Sequence, residues 1–319
     1  MSLNNQQRLF ILTICTLLVA CKPNVGQPPY LITDLTLLAV RGNPPEAQPG
    51  ANVTYSFLLA SPSDGTVTNA DAAWDVCMTP KPPAVSNAVS SACTQVPDPT
   101  TVAPGQTFAS AIPTKVCSLF GPIAPPPVAG QPPVAPRNPD STGGYYLPVR
   151  VRVNPAGAEE LSGFAFERIQ CNLASAAADI IEQYNSQYTP NNPPGIDHTD
   201  LVDAGGNRLP LDTGSQSAPA GSVWSIEATF VDGSAETFPV YDPQSEALVN
   251  QQESLHMSWF VTGGTFEHDR TGTAAGEATS STSNQWTAPK QAGTIYLWLV
   301  LRDSRGGIDY KSYQIQVGS

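Results

Sequence analysis

Residues 295 to 301 most constrain what this chain can become. Ile295, Leu297, Leu299 and Leu301 face one way, and Tyr296, Trp298 and Val300 face the other. A period of two belongs to a strand, because successive side chains leave opposite sides of the backbone. The same alternation recurs at Val53, Tyr55, Phe57 and Leu59, at Trp224, Ile226, Ala228 and Phe230, and at Leu255, Met257, Trp259 and Val261. Tyr145 to Val153 sets Val149, Val151 and Val153 against Arg150 and Arg152. Those two arginines are expected on the solvated face of a sheet. Further strands are expected over Tyr30–Val40, Ala72–Met78 and Phe164–Cys171, with an edge piece at Trp286–Pro289 and a hairpin ending in Tyr313, Ile315 and Val317. Gln48-Pro49-Gly50, Ser61 to Gly65 and Asp303 to Gly307 supply turn chemistry.

One stretch has helical spacing. Leu173, Ala177, Ile180, Ile181, Tyr184 and Tyr188 predict a helix from about Asn172 to Tyr188. Tyr188 to Gly195 then breaks regular structure and marks a boundary. Gly50 is followed by apolar residues at Val53, Tyr55 and Phe57, and Gly221 by Trp224, Ile226 and Ala228 at the same offsets. Each set precedes a strand with a tryptophan, Trp74 or Trp259. This faint repeat predicts a mainly β chain: two immunoglobulin-like β-sandwiches in tandem, with one short helix near their junction. The first would span 30–190 and the second 191–319. Between Thr79 and Gly144 the strand pattern weakens. Eight of the eighteen residues from Pro122 to Pro139 are proline, which predicts a semi-extended spacer loop rather than a central strand.

Ahead of these domains, Arg8 leads into an apolar run from Leu9 to Ala20 that stops at Cys21. The run falls short of the roughly 20 residues a spanning helix needs and has the size of a signal-peptide core. Leu18-Val19-Ala20-Cys21 resembles the lipobox of bacterial lipoproteins. The resemblance implies cleavage between Ala20 and Cys21, removal of 1–20, and lipid on the Cys21 thiol. With Lys22 rather than aspartate following, it leans toward the outer membrane. Residues 21–29 would be a lipidated tether. Its part from Lys22 to Pro29 reaches at most about 28 Å, so the first domain is expected against the bilayer and the second facing outward. Residues 255 to 318, with MSWFVTGG, WTAP and AGTIYLWLVLRDSRGG, are similar to bacterial immunoglobulin-like or PKD-type domains. Such domains are usually spacers, adhesive modules or sugar-binding accessories.

Charge and cysteines narrow the function class. A net charge of −12 and pI near 4.5 repel polyanions, so nucleic acid is not an expected partner. Besides Cys15 and Cys21, four cysteines remain: Cys77, Cys93, Cys117 and Cys171. In an exported chain they are disulfide candidates, with all three connectivities open.

No catalytic motif stands in the chain. Asp197-His198-Thr199-Asp200, Glu267-His268-Asp269-Arg270 and Asp303 read as turn and surface polarity rather than metal ligands, and His256 as outward-facing. Glu159-Glu160 does not converge, since adjacent side chains diverge. The expectation is a non-enzymatic envelope lipoprotein without cofactor, with a structural, adhesive or protein-interaction role, meeting an envelope protein. The alternative is a glycan-binding surface module with Tyr145, Tyr146, Trp286, Trp298 and Tyr310 as stacking rings.

Overall fold

The computed structural model describes residues 26–81, 89–95, 101–104, 106–123, 129–130, 137–154, 159–173, 176–277 and 279–318. The lipobox, with Ala20 and Cys21, lies outside the described residues, as does most of the proline-rich stretch.

The first sandwich holds β1 (Thr36–Asn43), β2 (Glu46–Ala47), β3 (Asn52–Ser61), β4 (Gly65–Val67), β5 (Asp71–Val76), β6 (Thr101–Pro104), β7 (Thr107–Ala111), β8 (Tyr145–Asn154) and β9 (Leu161–Ile169). β1, β3, β4 and β7 make one sheet; β2-β9-β8-β5-β6 make the other. Alternation fills the space between them. Val53, Tyr55, Phe57 and Leu59 of β3 meet Trp74 of β5 and Val149, Val151 and Val153 of β8. Trp74 packs with Tyr55, Phe57 and Phe108, ring centroids 5.7–6.2 Å apart. Each such large side chain contributes roughly 1.5–3 kcal/mol by leaving water.

Among the described residues, three α-helices interrupt the strands: α1 (Ser91–Thr94), α2 (Val116–Leu119) and α3 (Ala178–Gln187). Disulfides join Cys77 to Cys93 and Cys117 to Cys171, settling the connectivity that spacing left open. The expected helix from Asn172 is shorter than its periodicity, because Ala177 is extended and α3 begins only after it. Arg150 and Arg152 also depart from expectation. The chain after Cys77 folds back through α1 over their face, so Arg150 is buried and donates from Nη1 to the Cys93 carbonyl at 3.2 Å. Arg152 lies 3.9 Å from Asp75.

The second sandwich holds β10 (Ile196–Val202), β11 (Arg208–Pro210), β12 (Gln216–Pro219), β13 (Val223–Phe230), β14 (Thr237–Asp242), β15 (Ala247–Gln252), β16 (Leu255–Val261), β17 (Thr265–Phe266), β18 (Arg270–Thr273), β19 (Ser281–Thr287), β20 (Gly293–Asp303) and β21 (Ile308–Gly318). Its sheets run β11-β10-β13-β19-β17 and β12-β21-β20-β16-β18, with β14-β15 as a separate hairpin. Trp286, expected on an edge piece, is instead a buried core residue of β19.

The two sandwiches follow each other in sequence and stack sheet on sheet in space. Leu38, Ala39, Leu58 and Ala60 of β1 and β3 pack against Trp298 and Val300 of β20. Trp298 Nε1 donates to Thr66 Oγ1 across this seam at 2.9 Å. The β20 sheet is therefore an inner layer, with Leu297, Leu299 and Leu301 in its own sandwich core and Trp298 and Val300 in the seam. That is why residues 295–301 are apolar on both faces.

The first described residues also cross the expected division. Tyr30 is buried in the core of the second sandwich, edge-on to Phe266. Leu31 bridges Val261, with Ile32 N–H donating to the Val261 carbonyl at 2.9 Å. The chain thus enters the body at the second sandwich and only then builds the first. This removes the basis for expecting the first sandwich alone beside a membrane.

Candidate functional site

Strand direction gives the body two poles. β16 pairs with β20 from Val261–Leu297 at one end to Leu255–Asp303 at the other. Tyr30 to Ile32 docks at the Val261 end. Seven residues of strand separate the poles by about 20 Å or more.

At the far pole, loops and strand ends from both sandwiches converge on a buried ionic network. Arg305, in the turn after β20, donates from Nε to Glu253 Oε1 at 2.6 Å and from Nη1 to the Thr189 carbonyl at 3.0 Å, and pairs with Glu236. Glu46 of β2 lies 3.8 Å from Arg305 and 3.5 Å from Arg168 of β9. Glu46 accepts from the Tyr188 hydroxyl and from Asn191 N–H. Asn191 Nδ2 reaches Asp303 at 3.2 Å, and Asp303 accepts from the backbone N–H of Arg305 and Gly307. Asp303 is thus the pin of its own turn.

Arg168 donates from Nη1 to Thr142 and Tyr146. Burial works against its charge, but Tyr188, Tyr146 and Glu46 around it keep its pKa raised. Burial, with Asp303 nearby, lifts Glu253 to about 7 even against Arg305. Phe238 of the hairpin lies under the Arg305 guanidinium, 4.3 Å from it, and the hairpin packs against α3. Residues 189–192, read as a boundary, are thus the stitched joint of the molecule.

Two strands that face each other here keep a free edge. Among the described residues, β1 pairs with β3 alone, and residues 162–167 of β9 pair with β8 alone. Between these edges and the Arg302–Ile308 turn lies a cleft of about 380 Å³. Glu167 lines it, is 1% exposed, and has no hydrogen-bond partner among the described residues on either carboxylate oxygen. Burial, and then Glu46, raises its pKa to about 9.

The residues singled out from sequence distribute differently. His198, His256 and His268 are exposed, His198 beside Asp197 at 2.8 Å. No group of three metal-ligating side chains forms among the described residues. The rings proposed for sugar stacking are occupied: Tyr145, Trp286 and Trp298 are buried, Tyr146 bonds Arg168, and Tyr310 carries Arg41 on its face at 4.2 Å. Trp298 and Tyr310 are packing elements because the face of the one sheet that bears them is covered by β1 and β3 of the first sandwich. Glu46, Glu167, Arg168, Glu253 and Arg305 went unnoticed in the sequence. Only Glu167 carried a signal, since period two puts it on the inward side with Ala165 and Ile169.

No family of known sequences and no curated protein matches the chain. Among solved structures, the Yersinia pseudotuberculosis adhesin InvE aligns at 10% identity over 90% of this chain and 60% of that one, with a TM-score of 0.22. The native E. coli alpha-2-macroglobulin aligns at 9% identity over 89% of this chain and 17% of that one, with a TM-score of 0.25. Dimeric latent PorU from Porphyromonas gingivalis aligns at 9% over 90% and 24%, with a TM-score of 0.22. This chain therefore spans less than two thirds of each, and no functional residue is carried over from them.

Proposed function

We propose that this is a lipid-anchored envelope protein, held through Cys21 at the outer membrane, whose body serves as a non-enzymatic interaction or adhesion module. The observation that carries the reading is the placement of the chain's entry. The stretch following the lipobox docks through Tyr30 and Leu31 at one pole of the second sandwich. The composite surface built by α3, the β14–β15 hairpin and the disulfide-pinned loops lies at the other. An anchor at residue 21 with a tether of about 28 Å leaves the far pole free to meet an envelope protein. The seam supports the same reading, because packed sheets and buried charges make two sandwiches one stiff body that transmits position.

Photoreactive residues at Gln244, exposed at the hairpin tip, and at Gln291, exposed beside the entry pole, test this in intact cells. Crosslinks from position 291 are expected to lipid and from position 244 to protein. The reverse assignment would overturn the orientation, and lipid contact unchanged by Cys21→Ala would overturn the anchor.

A further inference from the structure

From the cleft between the free edges of β1 and β9 we infer a binding site for an aliphatic primary ammonium group, with Glu167 as its acceptor. This goes beyond the interaction role and does not depend on it. The walls are Leu37, Val40 and Phe164, with half-exposed Phe166 at the mouth. Gly163 lets the Leu37 and Val40 side chains lie directly on β9, for a Cβ there would strike Leu37 at 2.7 Å and Val40 at 3.0 Å. The acceptor at the cleft is Glu167: among the described residues neither of its oxygens has a hydrogen-bond partner. Gly42 is bare on the same side: a Cβ at 42 would collide with Glu167 Oε2.

A buried polar group left unpaired costs about 1–3 kcal/mol, more when charged. Two strand edges without a ladder partner add carbonyls along the walls. An ammonium head offers three donors and a charge, and an alkyl stem matches the apolar walls.

The other charged groups at the cleft are already engaged. Arg41 of β1 pairs with Asp309 at 3.1 Å. Arg302 of β20 donates to the Leu38 carbonyl at 3.1 Å and toward Ser258. Asp303 holds its turn and Asn191. Glu46 of β2 is bonded to Tyr188 and Asn191 and faces Arg168 and Arg305. Glu167 is the acceptor left over. Seating R–NH₃⁺ on it converts a carboxylic acid to a carboxylate and releases one proton to solvent, so charge balances without a further reactant.

Calorimetric titration of the full chain in detergent, at pH 7 and in buffers of different ionisation enthalpy, provides the test. The probes are n-butylamine for a free amine and Nα-acetyl-lysine methylamide for a protein side chain, with n-butanol as the neutral isostere. Saturable binding of an amine is expected, with about one proton released per amine bound, and no binding of butanol. Binding of the lysine derivative assigns the site to a partner's side chain; binding of butylamine alone assigns it to a free amine. Glu167→Gln, nearly isosteric, is expected to weaken binding at least about tenfold and abolish proton release. Gly42→Ala, which displaces the carboxylate without removing it, is expected to do the same. Failure of both amines to saturate, equal binding of butanol, or undiminished binding by a folded Glu167→Gln protein would each overturn the assignment.

Discussion

Replacing Arg305 by methionine would remove the charge at the centre of the joint while keeping an apolar stem over Phe238. The variant loses the 2.6 Å bond to Glu253, the Glu236 pair, and the bond to the Thr189 carbonyl. It leaves Glu253, 1% exposed, without its cation. Breaking one side of a buried pair costs about 3–5 kcal/mol, and losing the guanidinium over the ring adds roughly 0.5–2 kcal/mol. At about 2–4 °C per kcal/mol, Tm should fall by roughly 10 °C.

The loss should also depend on pH. Glu253 stands at about 7 against 4.5 when unperturbed, and without Arg305 it rises further. Between those values the folded protein holds a proton that the unfolded chain has released, so stability falls as pH rises through that range. The variant should accordingly be penalised less at pH 6 than at pH 8. Adding Glu253→Gln should recover part of the loss, since the two residues are in direct contact. Calorimetry of the three variants at both pH values is the assay. A cost under about 1 kcal/mol at pH 8, or an equal cost at both, would refute the picture of a desolvated, coupled joint.

Three further outcomes are expected. Trp298→Ala should cost about 3–5 kcal/mol and split a single calorimetric transition into two, because the seam rather than either core loses its largest side chain; one unshifted transition would contradict this. Replacing Cys117 and Cys171 together by alanine should cost about 2–4 kcal/mol, read from chemical denaturation, with the far pole cleaved first by protease. Glu167→Gln should flatten the fall in stability from pH 5 to 8, since Glu167 is held protonated in the folded protein to about 9 and the amide removes that linkage; an unchanged slope by thermal melts would tell against a desolvated carboxyl.

Much of the fold was legible because period two is a local property. Trp74, Trp259 and the strand at 295–301 are where alternation puts them. What alternation cannot report is what covers the second face. Arg150 was read as solvated because no local pattern shows that the chain after Cys77 returns over it. Trp298 and Tyr310 were read as stacking rings because their partner sheet comes from residues 36–61, more than two hundred positions away. The ionic joint was illegible for the same reason. Glu46, Arg168, Glu253 and Arg305 come from both sandwiches, and each alone reads as surface charge. Helical spacing at Leu173 and Ala177 misled because the extended conformation of Ala177 delays the start of α3. Tyr30 was assigned by sequence order, whereas the entry of the chain is fixed by a pocket beside Phe266.

The central claim is that this body is held to a membrane through Cys21. Metabolic labelling with radioactive palmitate, with and without globomycin, measures it directly alongside fractionation of wild type and Cys21→Ala. Wild type should incorporate label and sediment with outer membranes, globomycin should accumulate the uncleaved form, and Cys21→Ala should do neither. An unlabelled wild type, or a Cys21→Ala protein that still sediments with membranes, would contradict the account.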